Sequence, residues 1–176
     1  DHDALEVASV ASRGMLELIG DILDIARIES GHLSLTLEPS NLHELLVSVA
    51  RVFEGLARAK SLALVVELDP LIDRYVLADP LRFKQVVSNL LSNAIKFTST
   101  GQVRLGAHGS SSVANGYLNL RLWVEDTGVG ISAEDQRRLF NPFIQGSNSG
   151  QSARSGSGLG LVISRSLCEM MGGQLQ

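Results

Sequence analysis

Asn89, Asn93 and Lys96 fall at i, i+4 and i+7 of the segment Asn89-Leu-Leu-Ser-Asn93-Ala-Ile-Lys96-Phe97. A helix there would set two amides and an ammonium on one stripe. Amide oxygens can hold a hard metal ion, and an ammonium can meet phosphate. Farther on stands Val124-Glu-Asp126-Thr-Gly128-Val-Gly130-Ile131, where an aspartate leaves an apolar run into a double-glycine turn. Such a carboxylate accepts hydrogen bonds, so its partner should be a donor such as an exocyclic amine. Glycines beside it let backbone approach a ligand closely. Phe140-Asn141-Pro142-Phe143 puts two aromatics around a proline, an apolar hinge. Gly156-Ser157-Gly158-Leu159-Gly160-Leu161 opens an apolar helical pattern, and glycines before a helix let N–H groups converge on an anion. Each cluster alone has an ordinary explanation: solvated asparagines, a polar turn, core phenylalanines, a flexible loop.

Local signals predict the elements that must position these groups. From Asp3 to Glu29, Leu5, Ala8, Ser12, Met15, Ile19, Ile22 and Ala26 step by threes and fours, the seam of a bundle helix. Leu16 and Leu23 widen the stripe, which calls for a partner; packing on its own domain is the plainer use for it. Ser30-Gly31 stops that helix. Leu33, Leu35 and Leu37 alternate as in a half-buried strand over His32 to Pro39. Asn41, with Glu44 three residues on, caps a helix reaching about Lys60. Leu62 to Leu68 and Tyr75 to Leu77 read as strands. Asp79-Pro80 is a strong start signal for the helix to Phe97 that carries the amide stripe. Gly101 to His108 and Tyr117 to Glu125 form an antiparallel pair around a GSSSVANG loop. Ser132 with Asp135 caps a short helix to about Leu139, and a last helix runs from Ser157 or Gly158 to Met171. Residues 144–156 show no periodicity, as in a functional lid or a disordered stretch. The order strand–helix–strand–strand–helix–strand–strand–helix–helix predicts an α+β sandwich, helices on one face of a mixed sheet.

Composition narrows the function classes. The 176 residues carry 15 basic and 19 acidic side chains, net charge −4, without blocks. A nucleic-acid surface would need clustered Lys and Arg, so that class is set aside. The single cysteine, Cys168, excludes an internal disulfide and lies in an apolar helical pattern suited to packing. No apolar run approaches the roughly 20 residues needed to span a bilayer. The glycine cluster is not a Walker loop, lacking G-K-[ST]. It follows no strand and has no acidic residue about 20 positions later, so it is not a dinucleotide fingerprint either.

Taken in order, the four clusters resemble the N, G1, F and G2 boxes of the Bergerat ATP-binding fold, shared by histidine kinases, gyrase and MutL. The likeness runs from about Asn41 to Gln176. Leu18-Ile-Gly-Asp-Ile-Leu-Asp-Ile-Ala-Arg-Ile-Glu29-Ser-Gly31 resembles the second helix of the kinase dimerisation hairpin and points to hybrid-type sensors. The resemblance implies a Bergerat two-layer sandwich over residues 32–176 preceded by that hairpin helix over 1–31. It implies ATP and Mg²⁺ as cofactors, with Asn93 on the metal and Asn89 beside it. Lys96 would neutralise phosphate, with Phe97 ending that wall, and Asp126 would accept from the adenine amine. Gly128, Gly130 and Ile131 would shape the base pocket. Gly156, Ser157, Gly158, Leu159, Gly160 and Leu161 would close on the phosphates, and Arg154 in the lid is a further candidate. Arg82 and Lys84 are weaker ones, against the plainer use of solvated helix charges.

The resemblance further implies a two-component sensor kinase, the cytoplasmic part of an inner-membrane protein. It would transfer the ATP γ-phosphoryl group to a histidine absent from these residues, and from there to a receiver-domain aspartate. Its partners would be its own H-box helix, a second protomer, and the receiver domain of a response regulator or hybrid kinase; no nucleic acid is expected. His2, His32, His43 and His108 all lack the neighbours of a phospho-acceptor. Asn141 stands where the F box usually has an acid, and the last strand, after Gly172-Gly173, is largely missing. The family's hydrolases keep a glutamate at the position of Asn89, which cannot act as a base, so water is not activated. The alternatives are an interaction module that no longer holds nucleotide, and an ATPase of the gyrase kind.

Overall fold

The computed structural model describes the backbone of residues 2–112, 117–143 and 157–176; the side chains of 2–11, 13, 17, 111, 112 and 117 are outside the description. The chain divides into two compact units, residues 35–131 and residues 1–34 with 132–176.

Within residues 35–131, strand β1 (Glu38–Asn41) leads into helix α2 (Leu42–Ala59); helix α1 (His2–Glu29) belongs to the other unit. Strand β2 (Ala63–Leu68), a short 3₁₀ turn, and β3 (Tyr75–Ala78) follow, then α3 (Pro80–Phe97), β4 (Gln102–Ser112) and β5 (Tyr117–Asp126). The mixed sheet is three-stranded, in the order β2-β4-β5, with β2 parallel and β5 antiparallel to β4. β1 and β3 pair separately as an antiparallel ribbon, so the expected single sheet is in two pieces.

Alternation along β4 sorts the faces. Val103, Leu105 and Ala107 are buried against Leu46, Val49 and Phe53 of α2 and Phe83, Val87, Leu91 and Ile95 of α3. On the other face Arg104 holds Glu67 at 2.8 Å and Glu125 at 3.1 Å, a cross-strand ion network open to water. Helices therefore cover one face, as the alternation requires.

Caps set the helix limits. The Asn41 side chain accepts the Glu44 N–H at 3.2 Å, and its amide donates to Asp73. Asp79, buried, accepts the Arg82 N–H at 3.0 Å on one oxygen and the Thr36 N–H at 2.9 Å on the other. The latter bond corrects the expected strand over His32 to Pro39: the backbone is irregular to Leu37, and strand pairing begins at Glu38. Thr36 spends its N–H on a helix cap and Leu37 is exposed, so the leucine alternation is not a sheet pattern. The β4–β5 ladder also extends past His108 to Ser112, taking in half of the expected GSSSVANG loop; residues 113–116 are outside the described ones.

The C-terminal end of α3 is satisfied from outside the helix. Its last carbonyls have no intrahelical donors. Ala94 O accepts from Thr98, both from its N–H (3.1 Å) and from its hydroxyl (2.7 Å). Lys60, just past α2, sends its ammonium to Ile95 O (2.8 Å) and Lys96 O (3.0 Å).

In the other unit, α1 (His2–Glu29) ends as expected at Gly31, which takes φ 68°. His32 and Leu33 both return their N–H groups to Arg27 O, and Leu33 is buried. α1 packs against α5 (Gly160–Met170), whose Ile163, Ser164 and Leu167 are buried. α5 thus starts two to three residues later than expected. Helix α4 is Ala133–Gln136, capped by the Ser132 hydroxyl; beyond it, i→i+3 bonds from Arg138 and Asn141 continue the chain as turns where helix to Leu139 was expected. Met15, Leu16, Leu18, Ile19, Ile22 and Leu23 on α1 remain between 43% and 69% exposed. The stripe is not consumed by packing on its own unit.

Lys60→Met should remove two charge-assisted bonds and the cation at a helix C-terminus. It should cost about 1 kcal/mol, discounted for exposure. Urea denaturation should show a lowered midpoint at unchanged slope.

Candidate nucleotide site

Residues 35–131 bring the amide helix and the carboxylate turn together. Asn89, Asn93 and Lys96 are all partly buried along α3. The Asn93 amide donates to Asn89 Oδ1 over a long 3.4 Å. That turns the Asn93 carbonyl oxygen, the atom a hard cation would choose, away from its neighbour. Burial pushes the Lys96 ammonium below the ordinary lysine value of 10.5. Its Nζ stands 4.8 Å over the Phe97 ring.

Asp126 is the last paired residue of β5, opposite Val103. Its Oδ1 accepts the Gly128 N–H at 2.8 Å, which fixes the carboxylate plane. No hydrogen bond reaches Oδ2 among the described residues, so that oxygen can take an outside donor. The turn abuts α3 directly: a Cβ at Gly128 would lie 2.5 Å from Phe97 O and 2.7 Å from Asp126 Oδ1. Only a residue without a side chain lets the carboxylate wall and the amide wall meet this closely. Gly130, at φ 68°, and Ile131, 52% exposed, continue the turn.

The remaining candidates lie in the other unit. Ser157 accepts the Leu159 N–H at 3.1 Å and donates to Asp21 Oδ2 on α1 at 2.6 Å. Gly158 takes φ 70°, Leu159 is buried, and Gly160 and Leu161 open α5. Phe143 is 70% exposed, so it is not the core phenylalanine its type suggests; Phe140 packs under the Arg165 guanidinium, 5.1 Å from the ring centre. Arg154, Gly156 and the rest of 144–156 lie outside the described residues. Arg82 donates to Gln85 at 2.8 Å, along its own helix. His108 pairs with Asp69, and burial pushes the Cys168 thiol up, consistent with packing. Among the described residues no group of three His, Cys, Asp or Glu could hold a metal, and no helix is long and apolar enough to cross a membrane.

Sequence reasoning passed over Thr127, Thr98, Lys60 and Asp21. Thr127 alone carried a signal, standing between the carboxylate and the first turn glycine.

Comparison with known proteins gives the family and the fold. The family described as "Histidine kinase-, DNA gyrase B-, and HSP90-like ATPase" matches residues 78–176, the stretch from the α3 cap through α5. The virulence sensor protein BvgS of Bordetella pertussis is 48% identical over 176 residues, covering 99% of this chain and 14% of BvgS. The signal transduction histidine-protein kinase BarA of Escherichia coli K12 is 34% identical over 174 residues, 99% of this chain and 19% of BarA. The chain therefore spans less than a fifth of these relatives. The crystal structure of full-length ShkA in complex with AMPPNP superposes with a TM-score of 0.78 at 30% identity, covering 97% of this chain and 34% of that one. With an amide helix and a carboxylate turn meeting at a glycine, the chain belongs to the histidine kinase-, DNA gyrase B- and HSP90-like ATPase family, as an ATP-binding domain of the sensor histidine kinase kind.

Proposed function

We propose that the chain binds Mg-ATP and presents its γ-phosphoryl group to a histidine of a dimerisation hairpin outside these residues. The observation that carries this is the close approach of Gly128 to the α3 terminus. It sets the Asp126 carboxylate and the Asn93–Lys96 stripe on adjoining walls, one suited to a base, the other to phosphates. Asp126 Oδ2 accepts from the adenine amine, and Gly128, Gly130 and Ile131 flank the base. The Asn93 oxygen would hold Mg²⁺, which when bound screens the phosphate charge; Asn89 keeps the Asn93 amide turned. Lys96 meets phosphate oxygens. The family match, which runs to residue 176, supports Ser157, Gly158 and Gly160 as further phosphate contacts. A carboxamide at Asn89 cannot take a proton from water, which favours transfer over hydrolysis.

Residues 1–31 act as one helix of the dimerisation hairpin and 32–176 as the catalytic domain. The exposed apolar stripe of α1 supports this, since it needs a bundle partner: the H-box helix and a second protomer. The whole protein is a two-component sensor at the inner membrane with this part on the cytoplasmic side, passing the phosphoryl group to a receiver domain of hybrid type.

Calorimetric titration with a non-hydrolysable Mg-ATP analogue tests the pocket. Asp126→Asn should weaken binding about 10- to 100-fold, the worth of a charged hydrogen bond; unchanged affinity would remove Asp126 from the site. The lowered Lys96 pKa gives a pH dependence. Phosphate favours the protonated lysine, so affinity holds at neutral pH and falls as pH rises through the lowered value, before 10.5 is reached. Lys96→Arg, which keeps its proton, should abolish that alkaline decline; a decline that persists excludes Lys96 as its source.

A further inference from the structure

We propose that Thr127 is the positioning residue for adenine recognition: its hydroxyl clamps the strand end bearing Asp126 to the turn that follows α3. The inference rests on Asp126 being the acceptor of the adenine amine.

The Thr127 hydroxyl sits among three backbone groups of residues 100–102. It accepts the Gln102 N–H at 3.0 Å, and its single proton goes to Thr100 O (3.2 Å) or Gln102 O (3.3 Å). The Thr127 N–H also donates to Gln102 O at 3.2 Å, extending the β4–β5 ladder past its last pair, Val103 with Asp126. Gly101 makes room for the clamp. It takes φ 105°, and a Cβ there would lie 2.2 Å from Thr127 Oγ1.

Asp126 is thereby held from both sides. On the chain after it, Gly128 donates to Oδ1. At Thr127 the side chain ties the backbone to the segment that leaves α3 through Thr98, whose buried hydroxyl is bonded to Ala94 O. Only three residues separate Phe97 at the helix end from Gly101. A hydroxyl is needed for the double role: a valine fills the same volume, with no group to receive the Gln102 N–H. Loss of the clamp frees the carboxylate to leave the distance from α3 at which it meets the base.

The test is titration of the full chain with the Mg complexes of two imidotriphosphates, of adenosine and of inosine. Inosine lacks the exocyclic amine that Asp126 would receive. Thr127→Val should weaken the adenosine nucleotide about tenfold and the inosine nucleotide less than about twofold, while Thr127→Ser stays within about threefold of the unsubstituted chain. Equal losses for both nucleotides, no loss, or a serine variant as weak as valine would each overturn the clamp. Asp126→Asn is run alongside. If that variant binds adenosine nucleotide normally, the pocket assignment fails and the clamp with it; if it binds weakly while Thr127→Val binds normally, only the clamp fails. Should Thr127→Val not fold, hydrogen exchange of the Gln102 amide in the unsubstituted chain decides. It should slow on binding the adenosine nucleotide more than the inosine one, and equal slowing overturns the proposal.

Discussion

A helix ends with carbonyls that its own backbone cannot serve, and in residues 35–131 that constraint organises the candidate site. α3 stops at Phe97, where Thr98 leaves the helix with extended backbone, just past the stripe of Asn89, Asn93 and Lys96. The exposed acceptors then recruit other parts of the chain. Thr98 closes on Ala94, and Lys60 reaches over from the end of α2 to Ile95 and Lys96. The Phe97 carbonyl is left to face Gly128, next to the carboxylate turn. One helix terminus thus gathers α2, the β4 approach and the β5 exit into a single junction, and the proposed nucleotide walls border it.

The electrostatics follow from the same junction. Lys60 places a cation on the negative end of the α3 dipole. Lys96, next to last in the helix, pays desolvation for its partial burial, so its proton is held less firmly than on an exposed lysine. A polyphosphate brought to this wall would reverse that balance. Asp126 is a different case: its carboxylate is aligned by a backbone N–H and by its place at the strand end, and no cation pairs with it among the described residues.

What could be read from sequence was what neighbouring residues decide. Asn41, Asp79 and Ser132 each cap a helix with a side chain that reaches three residues ahead, and such chemistry is visible in the spacing. That the amide stripe lies along one helix and Asp126 ends a strand was legible for the same reason. The strand expected over His32 to Pro39 failed because a distant aspartate, Asp79, takes the Thr36 N–H, which alternation cannot reveal. Lys60 and Thr127 were missed on similar grounds. Their partners lie 35 and 25 residues away in sequence, and only the packing of α2 on α3 and the register of the hairpin bring them together.

The β4–β5 ladder adds one more consequence. Ten residue pairs run from Val103–Asp126 to Ser112–Tyr117, which at roughly 3.4 Å per residue is about 30 Å of hairpin. Asp126 is anchored at one end, so length added beyond Ser112 and before Tyr117 leaves its register alone, whereas one residue inserted in β5 just before Asp126 would turn its side chain to the opposite face. The far end of the ladder is therefore the natural place for this architecture to acquire new segments, or for an engineer to graft one, while the Asp126 end stays as it is.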